Sequence, residues 1–194
     1  MPIKTSLLVC SLLCWSGPAP AQGPAPERAD GKYLTYSPAS GMFSCQIPAS
    51  GWYPFDEEDA QGPVVHILGP ENPAGDYRAG LSIRWLDPSQ SGYVEPKKAV
   101  DILRRPDKTT ARSATSVRPL RVANLLARVF EIQETRTLPL DRLPAGSEVL
   151  HHYVAVIPNG SGYYMIRLSS SRDTYLDLRD EFAHFLKTFE PIGR

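Results

Sequence analysis

The stretch HHYVAVIPNGSGYYMIRLSSSRDTY, from His151 to Tyr175, decides how this chain is to be read. Two apolar-rich runs flank P-N-G-S-G, so the segment predicts a β-hairpin that feeds a helix. Pro158 blocks extension of the first strand, and Gly160 and Gly162 permit positive φ at little steric cost. Pairing across this turn is expected to set Tyr153 opposite Arg167 and Ala155 opposite Met165. The other face would hold Leu150, Val154 and Val156 against Tyr164, Ile166 and Leu168, which makes it the stronger core candidate.

The chemistry suggested by the same stretch is weaker than it looks. Adjacent strand residues point to opposite faces, so His151 and His152 do not share one metal ion. His66 lies in another strand and His184 in the last helix. A phosphate loop would need a lysine and a following Ser or Thr after the glycines, and these are missing. Ser169–Ser171 lack the G-x-S-x-G context of a serine nucleophile. The mixed face carrying His151, Tyr153 and Arg167 is left as the candidate polar pocket.

Outward from the hairpin, short β-type runs dominate: Tyr33–Tyr36, Met42–Ile47, Val64–Leu68, Ala79–Leu86, Leu120–Val122, Leu125–Thr135, Glu148–Ile157 and Tyr163–Ser170. L-S-I-R-W alternates most clearly, with Leu81, Ile83 and Trp85 facing one way. Short Gly/Pro/Asn connections favour antiparallel pairing. Two helices interrupt the strands. E-P-K-K-A-V-D-I-L-R-R starts at Pro96 and stops before Pro106. T-Y-L-D-L-R-D-E-F-A-H-F-L-K-T-F-E lines up Tyr175, Leu178, Phe182, Phe185 and Phe189, starts at Asp173 or Thr174 and ends at Pro191. The segment 105–119 is polar and aperiodic and is expected to be a mobile surface loop; 69–76 reads as a turn-rich connection.

Composition sets the class. The 194 residues, 42% hydrophobic and 22% charged, suit one soluble domain with a real core. With 21 basic and 21 acidic residues there is no basic surplus for a phosphate backbone, which argues against nucleic acid as a partner. The first 21 residues order a lysine (Lys4), an apolar run and small residues, the pattern of a secretory signal peptide cleaved after Ala21. The apolar run is too short for a transmembrane anchor. Cys10 and Cys14 follow Val9 and Leu13, not the small residues that precede lipid-modified cysteines. Residues 22–31, rich in Pro, Ala and Gly, read as a disordered lead-in to one globular domain, 32–194. Only Cys45 survives cleavage, so no internal disulfide forms. Alternation sets Cys45 with Phe43 and Ile47 as a small core residue. Asp56, Glu57, Glu58 and Asp59 are read as an acidic loop after G-W-Y-P-F, a place where calcium would bind if the chain were a cation module.

Phe43–Trp52 (F-S-C-Q-I-P-A-S-G-W), Gly162–Ser169 (G-Y-Y-M-I-R-L-S) and Phe185–Ile192 (F-L-K-T-F-E-P-I) together resemble the PsbP-like proteins, which include exported bacterial DcrB-like domains. The resemblance implies an α+β fold, an antiparallel β-sheet covered by helices as an α/β/α sandwich. It also implies an exported, non-enzymatic accessory role; the best-known members support photosystem II on its lumenal side. No catalytic residues and no cofactor come with it, and Phe43, Trp52 and Pro48 become framework. The expectation is therefore a secreted or periplasmic accessory or binding protein with an envelope or membrane-associated partner. A calcium- or zinc-binding module and a hydrolase with an unrecognised site are the alternatives.

Overall fold

The computed structural model describes residues 27–28, 31–59, 61–138 and 145–192. The expected signal peptide, 1–21, lies outside the described residues. Within the expected lead-in, Glu27–Arg28 (β1) pairs antiparallel with Leu34 and Thr35, so that segment is not wholly unstructured. In chain order there follow β2 (Tyr33–Tyr36), β3 (Phe43–Pro48), β4 (Tyr53–Asp59), β5 (Gly62–Glu71) and β6 (Arg78–Leu86). Helix α1 (Pro96–Leu103) precedes β7 (Ser113–Ala114), β8 (Arg118–Val122), β9 (Leu125–Leu138), β10 (Gly146–Asn159) and β11 (Gly162–Ser171). Helix α2 (Tyr175–Thr188) and β12 (Glu190–Pro191) complete the described chain.

The main sheet runs β4-β5-β6-β11-β10-β9-β7, with β8 also pairing with β9, and the smaller one runs β1-β2-β3-β12. Every pairing is antiparallel. Alternation builds the larger core on one face: Val65 and Ile67, Leu81 and Ile83, Ile166 and Leu168, and Tyr153, Ala155 and Ile157 meet α2 through Leu178, Phe182, Phe185 and Leu186. The small sheet joins that layer through Phe43, Cys45 and Ile47. The Tyr164 hydroxyl donates to the Met42 carbonyl at 2.6 Å and ties the two sheets together.

The opposite face is covered differently. Ala99 and Val100 of α1 pack with Leu86, Phe130, Ile132, Val154, Val156 and Tyr163. A helix of eight residues is about 12 Å long, whereas the sheet is roughly 30 Å across. The expected sandwich closed by helices on both faces is thus replaced by a sheet-dominated α+β fold. One face lies under α2 and the small sheet, and the other is only partly roofed by α1.

Three other expectations change. Asp56–Asp59 belong to β4 and not to a loop, because β4 pairs with β5 through Asp59↔Gly62. The segment read as a mobile loop holds an Asp107↔Arg112 bridge and β7, which pairs with Gln133 and Ile132. Helix α2 stops at Thr188: Phe189 is extended (φ −71°, ψ 118°), and Glu190 and Pro191 pair with Ser44 and Phe43 of β3.

Candidate functional site

The register of the β10–β11 hairpin divides the three residues expected to form a pocket. Asn159 pairs with Gly162, leaving a two-residue turn with Gly160 at its first central position (φ 58°). Tyr153 therefore faces Leu168, and Arg167 faces Val154. This is one residue away from the expected register, and one residue moves a side chain to the other side of the sheet. His151 and Tyr153 remain together on the α2 side. There His151 stacks on Tyr175 (4.1 Å), and Tyr153 stacks on Phe182 and donates its hydroxyl to the Tyr175 carbonyl (3.2 Å). Burial pushes the Tyr153 hydroxyl up and the His151 imidazole down from their ordinary pKa values. Arg167 projects from the other face.

The histidine that shares a face with Arg167 is His152. Its Nδ1 lies 2.8 Å from Ser169 Oγ, and its Nε2 lies 3.5 Å from Glu134 Oε1. Both His152 and Glu134 are buried. Arg136 donates to Glu134 at 2.8 Å, and Arg112 stands 3.9 Å from its second oxygen. Burial, reinforced by the nearby Arg167 cation, pushes the His152 pKa down to about 4. With the ring neutral, Nδ1 accepts from the Ser169 hydroxyl, while Nε2–H faces the Glu134 carboxylate across 3.5 Å without forming a hydrogen bond.

This chain of groups gives Ser169 a base, which a nucleophile needs. However, Ser169 lies mid-strand between Gly80 of β6 and His152 of β10, so its backbone groups belong to the ladders and not to an oxyanion pocket. What the geometry provides is a rigid polar seam that pins β9, β10 and β11 in register.

Beside that seam lies a cavity of about 230 Å³ on the partly roofed face. Val64, Val154 and Met165 form its apolar part and Leu103 of α1 its wall, while Gln61, His66, Ser82, Arg84 and Arg167 supply polar groups. The pairings explain the layout. One row across the sheet reads Phe55, His66, Ser82, Arg167, Val154; the next reads Glu57, Val64, Arg84, Met165, Val156. The two arginines differ in their environment. Arg84 is clamped by both oxygens of Asp59 (2.6 and 2.7 Å) and donates to the Gly62 carbonyl. That guanidinium holds the Asp59 carboxyl below its usual pKa. Arg167 is exposed and has no hydrogen-bond or ion-pair partner among the described residues. On the edge strand, Tyr53 and Phe55 expose their rings on the same side, and Phe55 stacks on His66 at 5.2 Å.

The remaining sequence candidates are absorbed into the framework. The four carboxylates of β4 alternate across the strand: Asp56 accepts from the Tyr36 hydroxyl on one side, while Glu57 (3.4 Å from His66) and Asp59 lie on the other. Among the described residues no three His, Cys, Asp or Glu side chains gather as a metal site. His184 stacks on Tyr33 and bonds Gln46. Cys45 is buried, which pushes its thiol pKa up. Sequence reasoning missed Glu134, the pairing of Ser169 with His152 and the Asp59–Arg84 clamp. No local pattern signals them; only the register across four strands brings them together.

Comparison with known proteins addresses the fold. No family model matches the chain, and no curated protein matches it. Among solved structures it is similar to the cyanobacterial PsbP (CyanoP) of Synechocystis, with TM-score 0.50 and 13% identity over 88% of this chain and 98% of that one. The chain has a PsbP-like fold. A looser likeness links this PsbP-like chain to LpqN of Mycobacterium tuberculosis, which is described as involved in cell envelope biogenesis. There the TM-score is 0.44 and the identity 14%, over 77% of this chain and 83% of that one. At these identities the likeness is one of fold. No helix among the described residues is long and apolar enough to cross a membrane.

Proposed function

We propose that this chain is an exported, non-enzymatic accessory protein of PsbP-like type that works by binding, with the partly roofed sheet face as its contact surface. One observation carries this: the 230 Å³ cavity exposes the guanidinium of Arg167, which has no partner among the described residues, on a face that the fold leaves open. Arg84, in contrast, is paired with Asp59. In this reading residues 1–21 direct export and are removed, 22–31 lead in, and 32–194 form the working domain in the periplasm or outside the cell. An envelope or membrane-associated protein is the partner class.

The test is an amide-resonance titration of the mature protein with a fragment library, run beside a broad hydrolase screen. Perturbations that cluster on Val64, Ser82, Met165 and Arg167 are expected, without turnover. Reproducible turnover abolished by Ser169→Ala would show the protein to be an enzyme. Export is checked by N-terminal sequencing of the fractionated protein, with Gln22 as the expected first residue.

A further inference from the structure

We propose that the open-face cavity takes a small amphipathic anion, with its acid group on Arg167 and a short apolar body on Val64, Met165, Val154 and Leu103. The inference rests on the binding role just proposed and specifies the ligand. Three features fix the class.

The first is charge. Of the two guanidiniums in the cavity, Arg84 is neutralised by Asp59 at 2.6 Å, whereas Arg167 has no carboxylate partner among the described residues. Arg167 is therefore the one cavity guanidinium without a carboxylate partner among the described residues, in a fork geometry suited to a carboxylate or phosphate. Glu57 stands 3.4 Å from His66 on the side of the edge strand. Ser82 stands directly opposite Arg167 on β6 and presents a hydroxyl to the same group.

The second is polarity. Across the row, Ser82 and His66 lie to one side of Arg167, and Val154 lies to the other. Met165 and Val64 flank it in the adjoining row, and Leu103 closes the apolar end from α1. A ligand seated here must change from ionic to apolar within a few ångströms. Bare phosphate would leave the apolar wall wet, and an alcohol would leave the guanidinium unmatched.

The third is size. A volume of 230 Å³ holds about eight groups of water size, each taking ~30 Å³ in the liquid. That seats an acid group with about five or six carbons, and anything longer would run out over the open face.

The experiment uses the mature protein at pH 7.5, titrated calorimetrically and by amide resonances with hexanoate, hexyl phosphate, hexan-1-ol, hexylamine and inorganic phosphate. Hexanoate or hexyl phosphate is expected to bind at the cavity; whichever is tighter identifies carboxylate or phosphate as the natural acid group. Arg167→Met should weaken it at least tenfold, and Arg167→Lys less. Met165→Glu, on the same strand face two positions from Arg167, places an internal carboxylate beside the guanidinium and should abolish binding with the dispersion of the spectrum unchanged. Equal binding of hexan-1-ol, preference for hexylamine, or binding of inorganic phosphate alone would overturn the ligand class while leaving a cavity that binds. Silence of the cavity residues towards every probe would overturn both the ligand class and the binding role.

Discussion

Gly160 and Gly162 sit two positions apart in one hairpin and are glycines for different reasons. Gly160 needs its left-handed backbone (φ 58°) and has open space around it. Gly162 has no such φ; a Cβ there would lie 2.4 Å from the Leu86 carbonyl oxygen and 2.6 Å from the Trp85 ring. Alanine at 160 should therefore cost about 1 kcal/mol by backbone strain alone. At 162 it should cost about 3 kcal/mol, because a paired strand must move. Urea unfolding of the two variants checks the order, and equal losses would contradict the packing reason. His152 gives a second prediction at this scale. Its folded pKa, about 4, lies below the ordinary 6.5, so between those values the unfolded chain binds more protons than the folded one. The contribution is complete above pH 6.5 and is lost as pH falls towards 4, by roughly 3 kcal/mol at most. His151, also depressed by burial, acts with the same sign. His152→Gln keeps a polar partner for Ser169 and should flatten the slope of stability between pH 6.5 and 4; what remains comes from His151 and, near pH 4, from carboxyls held below their ordinary range such as Glu134 and Asp59. An unchanged slope would remove His152 from the account.

Among the elements, α2 holds the larger core together. Its three- and four-residue stripe was legible from the sequence, and Leu178, Phe182 and Phe185 are buried as that spacing requires, with Leu186 joining them. Phe185→Ala should destabilise by about 3–5 kcal/mol, a large fraction of a typical domain's stability, measured by thermal or urea unfolding. The end of α2 was not legible. Phe189 continues the stripe in sequence, yet it is extended and fully buried against Phe43 (ring centroids 5.1 Å). Long-range pairing of Glu190–Pro191 with β3 overrides the local helical period, and the residue before Pro191 is disfavoured in a helix in any case. Strand β4 was missed for a related reason. Y-P-F-D-E-E-D has an acidic, proline-containing pattern that only edge pairing with β5 makes into a strand.

At the scale of the whole molecule, the layering predicts where the chain opens. Cys45 lies at the junction of the small sheet, α2 and the main sheet, 2% exposed, with its thiol pKa raised by burial. Its reaction with an aromatic disulfide reagent should be slow in native buffer and should follow the urea dependence of unfolding; a fast stoichiometric phase would mean the two sheets part easily. Amide exchange should be slowest in β6, β11 and β10, which have neighbours on both sides, and fastest along β4 at the edge. The site follows from the same architecture. Because α1 is short and the small sheet sits on the α2 side, part of the main sheet keeps an open face, and Arg167 and Ser82 stand on it.

The sequence by itself determined the longer central elements and the inward face of several of them. Period-two burial of Phe43, Cys45 and Ile47, and the α2 stripe up to Phe185, follow from transfer of apolar side chains out of water, which neighbours along the chain already encode. Tertiary structure alone decided that Arg167 shares its face with His152 and not with Tyr153, that Arg84 is neutralised by Asp59, and that Arg167 has no partner among the described residues. Those outcomes depend on a strand register fixed by a two-residue turn and by β6, and a shift of one residue inverts every side chain without changing any local preference.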